Sequence, residues 1–120
     1  MRRRLRREQE KRAGGLFDIK QGTGGIVDIE FLVQYLILAH AHEKEALVEW
    51  TDNVRMLETL SDCGVMDSRT AQSLTAAYLA YRHAAHRMSL NERPAMAAGD
   101  DFENARKQVT ETWQRYLGPG

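Results

Sequence analysis

A single cysteine, Cys63, in 120 residues rules out an internal disulfide and leaves no Cys-x-x-Cys pair for zinc. A reducing cytoplasm is therefore the expected setting, and no metal scaffold is implied. Long apolar runs are missing too. The longest, Phe31 to Ala41, is interrupted by Gln34 and His40 and falls far short of the roughly 20 residues that span a bilayer, so no membrane association is expected. The chain has no excess of either charge, with 17 basic and 17 acidic side chains. After the first arginines, Glu8 to Arg12 is charged where a secretory signal needs an apolar segment, so no such signal is expected. No internal repeat is visible.

The composition that remains is that of a folded soluble protein: hydrophobic residues make up 42% and charged residues 28%, too apolar for a disordered chain and long enough for one core. The charge is unevenly placed. Residues 1–12 hold seven basic and two acidic side chains, and the other 108 hold ten basic and fifteen acidic ones, so +5 is set against −5. Basic tracts can meet nucleic acid, but Arg2, Arg3, Arg4, Arg6 and Arg7 come with no aromatic residue to stack on a base, and nucleic-acid binding is not expected.

Local signals predict helices throughout. Residues 1–13 favour helix by propensity but lack an apolar stripe, and read as a basic helical arm continuing an upstream helix. Gly14 and Gly15 end it, and Phe17-Asp18-Ile19-Lys20 alternates like a short extended segment. Gln21-Gly22-Thr23-Gly24-Gly25 is a loop. Ile26 to Ala41 is apolar around most of its circumference, the pattern of a central buried helix. Thr51 or Asp52 can cap a helix that runs through Asp62, with Gly64 as its left-handed terminator. Asp67 or Ser68 can cap a long amphipathic helix carrying Ala71, Leu74, Tyr78, Tyr81, Ala85 and Met88. Pro94 and Gly99 bracket a loop. Asp100 or Asp101 then caps a last helix with Phe102, Ala105, Val109, Trp113 and Tyr116 on one side. The expected fold is all-α: an antiparallel helical bundle of about four main helices over residues 14–118, with the basic arm at its start.

Chemistry concentrates in Phe17 to Phe31, FDIKQGTGGIVDIEF. A lysine, a glycine-rich loop, a helix start and two carboxylates fall within it. Amides of Gly24, Gly25 and Ile26, together with Lys20, could meet a phosphate at the helix N-terminus. The pattern is not a Walker A loop, which needs GxxxxGK[ST]. The structural alternative is that the glycines only permit a tight helix entry. Asp28 and Glu30 would point about 200° apart on a helix, a poor pair for one metal, and at least one should make a structural hydrogen bond or salt bridge. Asp52, Asn53 and Arg55 form a secondary cluster. Asp52 and Asn53 are also ordinary capping residues, and Arg55 can pair with Glu58 or Glu30. His83 and His86 could share a helix face while His40 and His42 could not, and nothing completes a zinc signature. No metal site is expected in this chain.

The runs Asp18 to Leu38, Ala41 to Lys44 and Trp50 to Leu60, followed by the helix of Trp113, resemble the C-terminal end of bacterial glutamine synthetase adenylyltransferases, over nearly all of residues 3–117. That family joins two nucleotidyltransferase halves, one removing AMP from glutamine synthetase and one attaching it, and the continuation here resembles the attaching half. The resemblance implies a helical domain behind a nucleotidyltransferase lobe that supplies a Gly-Ser motif and Asp-x-Asp carboxylates for magnesium. This chain has neither motif. ATP and Mg2+ are thus implied for the full-length enzyme, and no catalytic residue or complete active site is expected in this segment. The nucleotide-cleft candidates are Lys20, Gly24, Gly25, Asp28 and Glu30. The implied partners are the upstream lobe, glutamine synthetase and the PII signal protein. The alternative is a regulatory docking module that binds glutamine synthetase or PII without touching nucleotide.

Overall fold

The computed structural model describes residues 16–41, 52–98 and 100–118. The basic arm at 1–13, Gly14 and Gly15, His42 to Lys44, Trp50, Thr51, Gly99 and the last two residues lie outside that set. In chain order the elements are β1 (Phe17–Asp18), α1 (Ile26–His40), α2 (Asn53–Asp62), α3 (Ser68–Leu90), β2 (Met96–Ala97) and α4 (Glu103–Leu117). The four helices are those expected from the sequence. The addition is β2, which pairs antiparallel with β1 in the register Phe17↔Ala97 and Asp18↔Met96. Within the expected loop, the chain extends after Pro94 and offers the Ala95 carbonyl to the Ile19 amide at 2.9 Å. A pairing across some eighty positions leaves no mark in local periodicity.

Carboxylate caps fix the starts of α2 and α3. The Asp52 carboxylate accepts the Val54 amide at 2.8 Å to open α2, and Gly64 ends the element with φ of 77°, a conformation costly for a residue with a Cβ. The Asp67 carboxylate accepts the Thr70 amide and hydroxyl at 3.0 and 2.7 Å to open α3. At α4 the expectation fails. Neither Asp100 nor Asp101 caps it; the cap position is Phe102, with no side-chain cap bond. Its ring is held instead against Tyr81 and Phe17, with centroids 5.2 and 6.2 Å away, and that packing decides where the helix begins.

Helices α1 and α3 each pack against all three other helices. Their inward residues, Ile29, Leu32, Val33, Leu74 and Tyr81, are buried with Leu57 and Leu60 of α2, Val109 of α4 and Phe17 and Ile19 from the β1 turn. The apolar periodicity of α3 and α4 selects the faces that are buried. On α1 it overstates burial: Phe31, Tyr35 and Leu38 remain exposed, because three neighbouring helices cover only part of a circumference that is apolar nearly all round.

Candidate functional site

The turn between β1 and α1 is tied by its own carboxylates. Asp18 Oδ1 accepts the amides of Lys20 and Gln21, each at 3.0 Å, and the Asp18 carbonyl accepts the Gly22 amide at 2.7 Å. The Gly25 amide donates to the Gly22 carbonyl at 2.9 Å, the Ile26 amide to the Ile19 carbonyl at 3.0 Å, and the Val27 amide to the Lys20 carbonyl at 2.9 Å. Asp28 is buried, and its Oδ2 accepts the Gly24 amide at 2.7 Å. The amides of Gly24, Gly25 and Ile26, candidates for a phosphate cradle, are therefore all engaged inside the chain.

The glycines are needed for close approach. A Cβ on Gly25 would stand 2.5 Å from the Ile19 carbonyl oxygen, and one on Gly24, where φ is 81°, 2.8 Å from the Arg106 carbonyl oxygen. Their Cα faces thus look onto protein backbone.

Arg106 locks this turn to α4. Its Nε donates to the Thr23 carbonyl at 3.0 Å, and its half-buried guanidinium lies 4.1 Å from the centre of the Phe17 ring, a cation–π contact. Tyr81 is fully buried beneath, with no hydrogen-bond partner for its hydroxyl. Burial pushes its phenol well above the ordinary value, opposed by the charge of Arg106 and reinforced by that of Asp28. Sequence reading missed Arg106, Thr23 and Tyr81 as parts of this site. Arg106 sits on a polar helix and looks like any solvated arginine, and only the tertiary contact 83 positions away distinguishes it.

Lys20 is exposed on the tip of the turn, and its ammonium makes no ion pair among the described residues. It is the cation that this geometry offers to an incoming anion. Glu30 lies apart from Asp28, on the side of α1 facing α2. The Asn53 amide group donates to Glu30 Oε2 at 3.5 Å and to the Tyr78 hydroxyl at 3.4 Å, while Asn53 Oδ1 is buried without a partner. The structure thus joins one primary candidate, Glu30, to one secondary candidate, Asn53. Asp52 is a helix cap. Arg55 pairs with Glu58 at 3.4 Å on the exposed face of α2. Among the described residues no three His, Cys, Asp or Glu side chains are grouped to hold a metal, and no helix is long and apolar enough to cross a membrane.

The family model for GlnD PII-uridylyltransferase matches residues 1–114. The chain belongs to this family. Among relatives of this chain is the bifunctional glutamine synthetase adenylyltransferase/adenylyl-removing enzyme of Psychromonas ingrahamii, 45% identical over 118 residues. That alignment covers 98% of this chain and 12% of the relative, so the chain spans about an eighth of the length of the relative it matches. The resemblance to glutamine synthetase adenylyltransferases expected over nearly all of residues 3–117 is thus matched by this alignment. Both names are those of nucleotidyltransferases, and they differ in nucleotide and in acceptor protein.

Proposed function

We propose that this chain is the helical portion of a bacterial enzyme that transfers AMP from ATP to a tyrosine of glutamine synthetase in nitrogen regulation, and that it is not a complete catalyst by itself. The observation that carries this reading is the 45% identity over 118 residues to an adenylyltransferase. Of the glycine-loop candidates, Lys20 is the one exposed towards the nucleotide cleft; Gly24, Gly25 and Asp28 build the turn that carries it, and Glu30 faces α2. Asp28 is committed to the Gly24 amide and Glu30 faces Asn53, so the residues described here do not fit a magnesium site. The metal belongs to the upstream lobe, where it would neutralise phosphate charge during in-line attack by the acceptor hydroxyl.

In this reading Asp18, Asp28 and Arg106 hold the turn rigid, and Lys20 presents its ammonium to the phosphates of ATP. Asp28 cancels part of the positive end of the α1 dipole, which leaves the lysine as the main attraction for an anion. The setting is the cytoplasm, and PII is a second protein partner of the same enzyme.

The test is AMP attachment, read as the mass gained by glutamine synthetase, using the full-length polypeptide that contains this chain with ATP or UTP. Losing a charge-assisted contact worth about 1.5–3 kcal/mol makes Lys20→Ala about ten- to a hundredfold weaker in kcat/KM for ATP, with partial recovery in Lys20→Arg. Absence of AMP on glutamine synthetase, or attachment of UMP to PII instead, would sink the reading. Normal ATP use by Lys20→Ala would leave only the docking role.

A further inference from the structure

Helix α3 departs from the charge balance of the chain. Residues 13–120 hold ten basic and fifteen acidic side chains, yet the 23 residues Ser68–Leu90 include no Asp or Glu. The bases of this helix gather in its C-terminal half. Arg82, His83, His86 and Arg87 are all exposed, and at 100° per residue they fall within an arc of about 140°. His83 and His86 run down the middle of that arc, with an arginine on either flank. Leu79 and Leu90, 52% and 71% exposed, lie along the same line before and after the histidines, so the face is about 16 Å long.

None of these bases meets an acid among the described residues. The Arg82 guanidinium lies 5.8 Å from the centre of the Tyr78 ring, and the side chains of His83, His86 and Arg87 make no hydrogen bond or ion pair within the described fold. The helix dipole accounts for Arg87 alone. That arginine is the basic residue of the last turn, and the pull of the dipole fades within one turn, whereas Arg82 and His83 stand about two turns from the end. The face also lies at the same end of the bundle as Lys20. Tyr81, which precedes Arg82, packs edge-on against Phe17 with ring centroids 5.7 Å apart, and the segment after α3 gives the Ala95 carbonyl to the Ile19 amide. On the Leu79 side the basic surface stops at a groove between α2 and α3 that is lined by Glu58 and Asp62.

We propose that this face of α3 docks an acidic surface of the acceptor protein, glutamine synthetase, and so sets how that protein approaches the turn of Lys20. The inference rests on the functional reading above, in which the substrate is itself a folded protein and must be held by more than its reacting tyrosine. The acid excess over residues 13–120 repels an acidic surface while the α3 face attracts it, and that pattern of signs selects one orientation of approach. The leucines at its two ends add apolar area that a purely electrostatic contact lacks. Both aromatic residues of α3, Tyr78 and Tyr81, are buried. Nothing on the face can therefore stack on a base, which favours a protein over a nucleic acid.

The test uses the full-length polypeptide and reads AMP attached to glutamine synthetase, with each substrate varied in turn. Arg82→Glu with Arg87→Glu should raise KM for glutamine synthetase about tenfold or more, the lower end of what electrostatic steering contributes. KM for ATP should stay unchanged, which also shows that the variant is folded. Arg69→Glu with Lys107→Glu alters the net charge equally at exposed positions off the face and should move neither value. Arg82→Lys with Arg87→Lys keeps the charge and should stay near wild type. Added salt should raise the wild-type KM for glutamine synthetase and narrow its gap to the charge-reversed variant. An unchanged KM for glutamine synthetase after charge reversal would overturn the inference and leave the functional reading intact. An equal rise in both KM values would overturn it in favour of a nucleotide contact, and RNA binding lost on reversal with the acceptor KM intact would overturn it in favour of nucleic acid. A wild-type polypeptide that attaches no AMP would overturn the functional reading, and with it the acceptor named here.

Discussion

Two stretches of α1 reverse the usual rule for what lies inside. At the N-terminal end a carboxylate, Asp28, is buried; on the outer face a phenylalanine, a tyrosine and a leucine are exposed. The carboxylate is tolerated because it accepts the Gly24 amide at 2.7 Å, a partner that offsets the cost of leaving water. On the outer face Phe31 stacks on Trp113 with ring centroids 5.9 Å apart, while Tyr35 and Leu38 are exposed. Burial of a polar group is thus decided by whether it finds partners. If this contrast is right, the loop end should be fragile to small changes and the outer face tolerant of them.

The largest effect is expected at the tightest approach. Gly25→Ala puts a Cβ 2.5 Å from the Ile19 carbonyl oxygen and 3.0 Å from that of Gly22. Both are backbone atoms, so relief requires the turn itself to move. A loss of about 3 kcal/mol is expected in urea unfolding at neutral pH. A loss under about 1 kcal/mol would mean that the turn yields, and the contrast with the outer face would weaken.

Asp28→Ala comes next. It leaves the Gly24 amide buried without its acceptor, a penalty of about 1–3 kcal/mol, whereas Asp28→Asn keeps an acceptor oxygen and should lose less. The difference between the two unfolding midpoints is the readout. Equal losses would show that the negative charge, and not the hydrogen bond, matters at this position.

Away from the loop, a smaller pH-dependent effect distinguishes a surface carboxylate from the buried one. The Thr70 hydroxyl and amide, then Arg115, hold the Asp67 carboxyl down at about 2, with Arg115 Nη2 at 2.8 Å. Because the folded value lies below the unfolded one of about 3.9, its stabilisation is fully present above about pH 4 and is lost as pH falls towards 2. The wild-type chain should therefore lose more stability than Asp67→Asn between pH 5 and 2. Parallel acid limbs for the two proteins would remove Asp67 as a source of acid sensitivity.

The helices were legible because local rules determine them. Asp52 and Asp67 precede apolar-periodic runs and do cap them. The α4 start was not legible, since Phe102 takes the cap position to pack with Tyr81 and Phe17, a tertiary demand that overrides two nearby aspartates. In the candidate site, the need for glycine could be read from the sequence, but what the glycines approach could not. The atoms facing Gly24 belong to Arg106, far along the chain, and no spacing rule joins the two. The Glu30–Asn53 meeting likewise depends on how α1 and α2 pack.

Lys20 should show the least effect on stability, and for that reason it sharpens the comparison most. Its backbone is tied, with the amide on Asp18 and the carbonyl on Val27, but those bonds survive truncation of the side chain. The ammonium is exposed and makes no ion pair among the described residues, so Lys20→Ala should change unfolding by no more than about 0.5 kcal/mol. A larger loss would place the lysine among the groups that hold the turn, alongside Asp18 and Asp28, and any fall in AMP transfer by that variant would then follow from a damaged loop. An unchanged midpoint with weakened use of ATP separates the two: the carboxylates build the turn, and the lysine on its tip acts on the ligand.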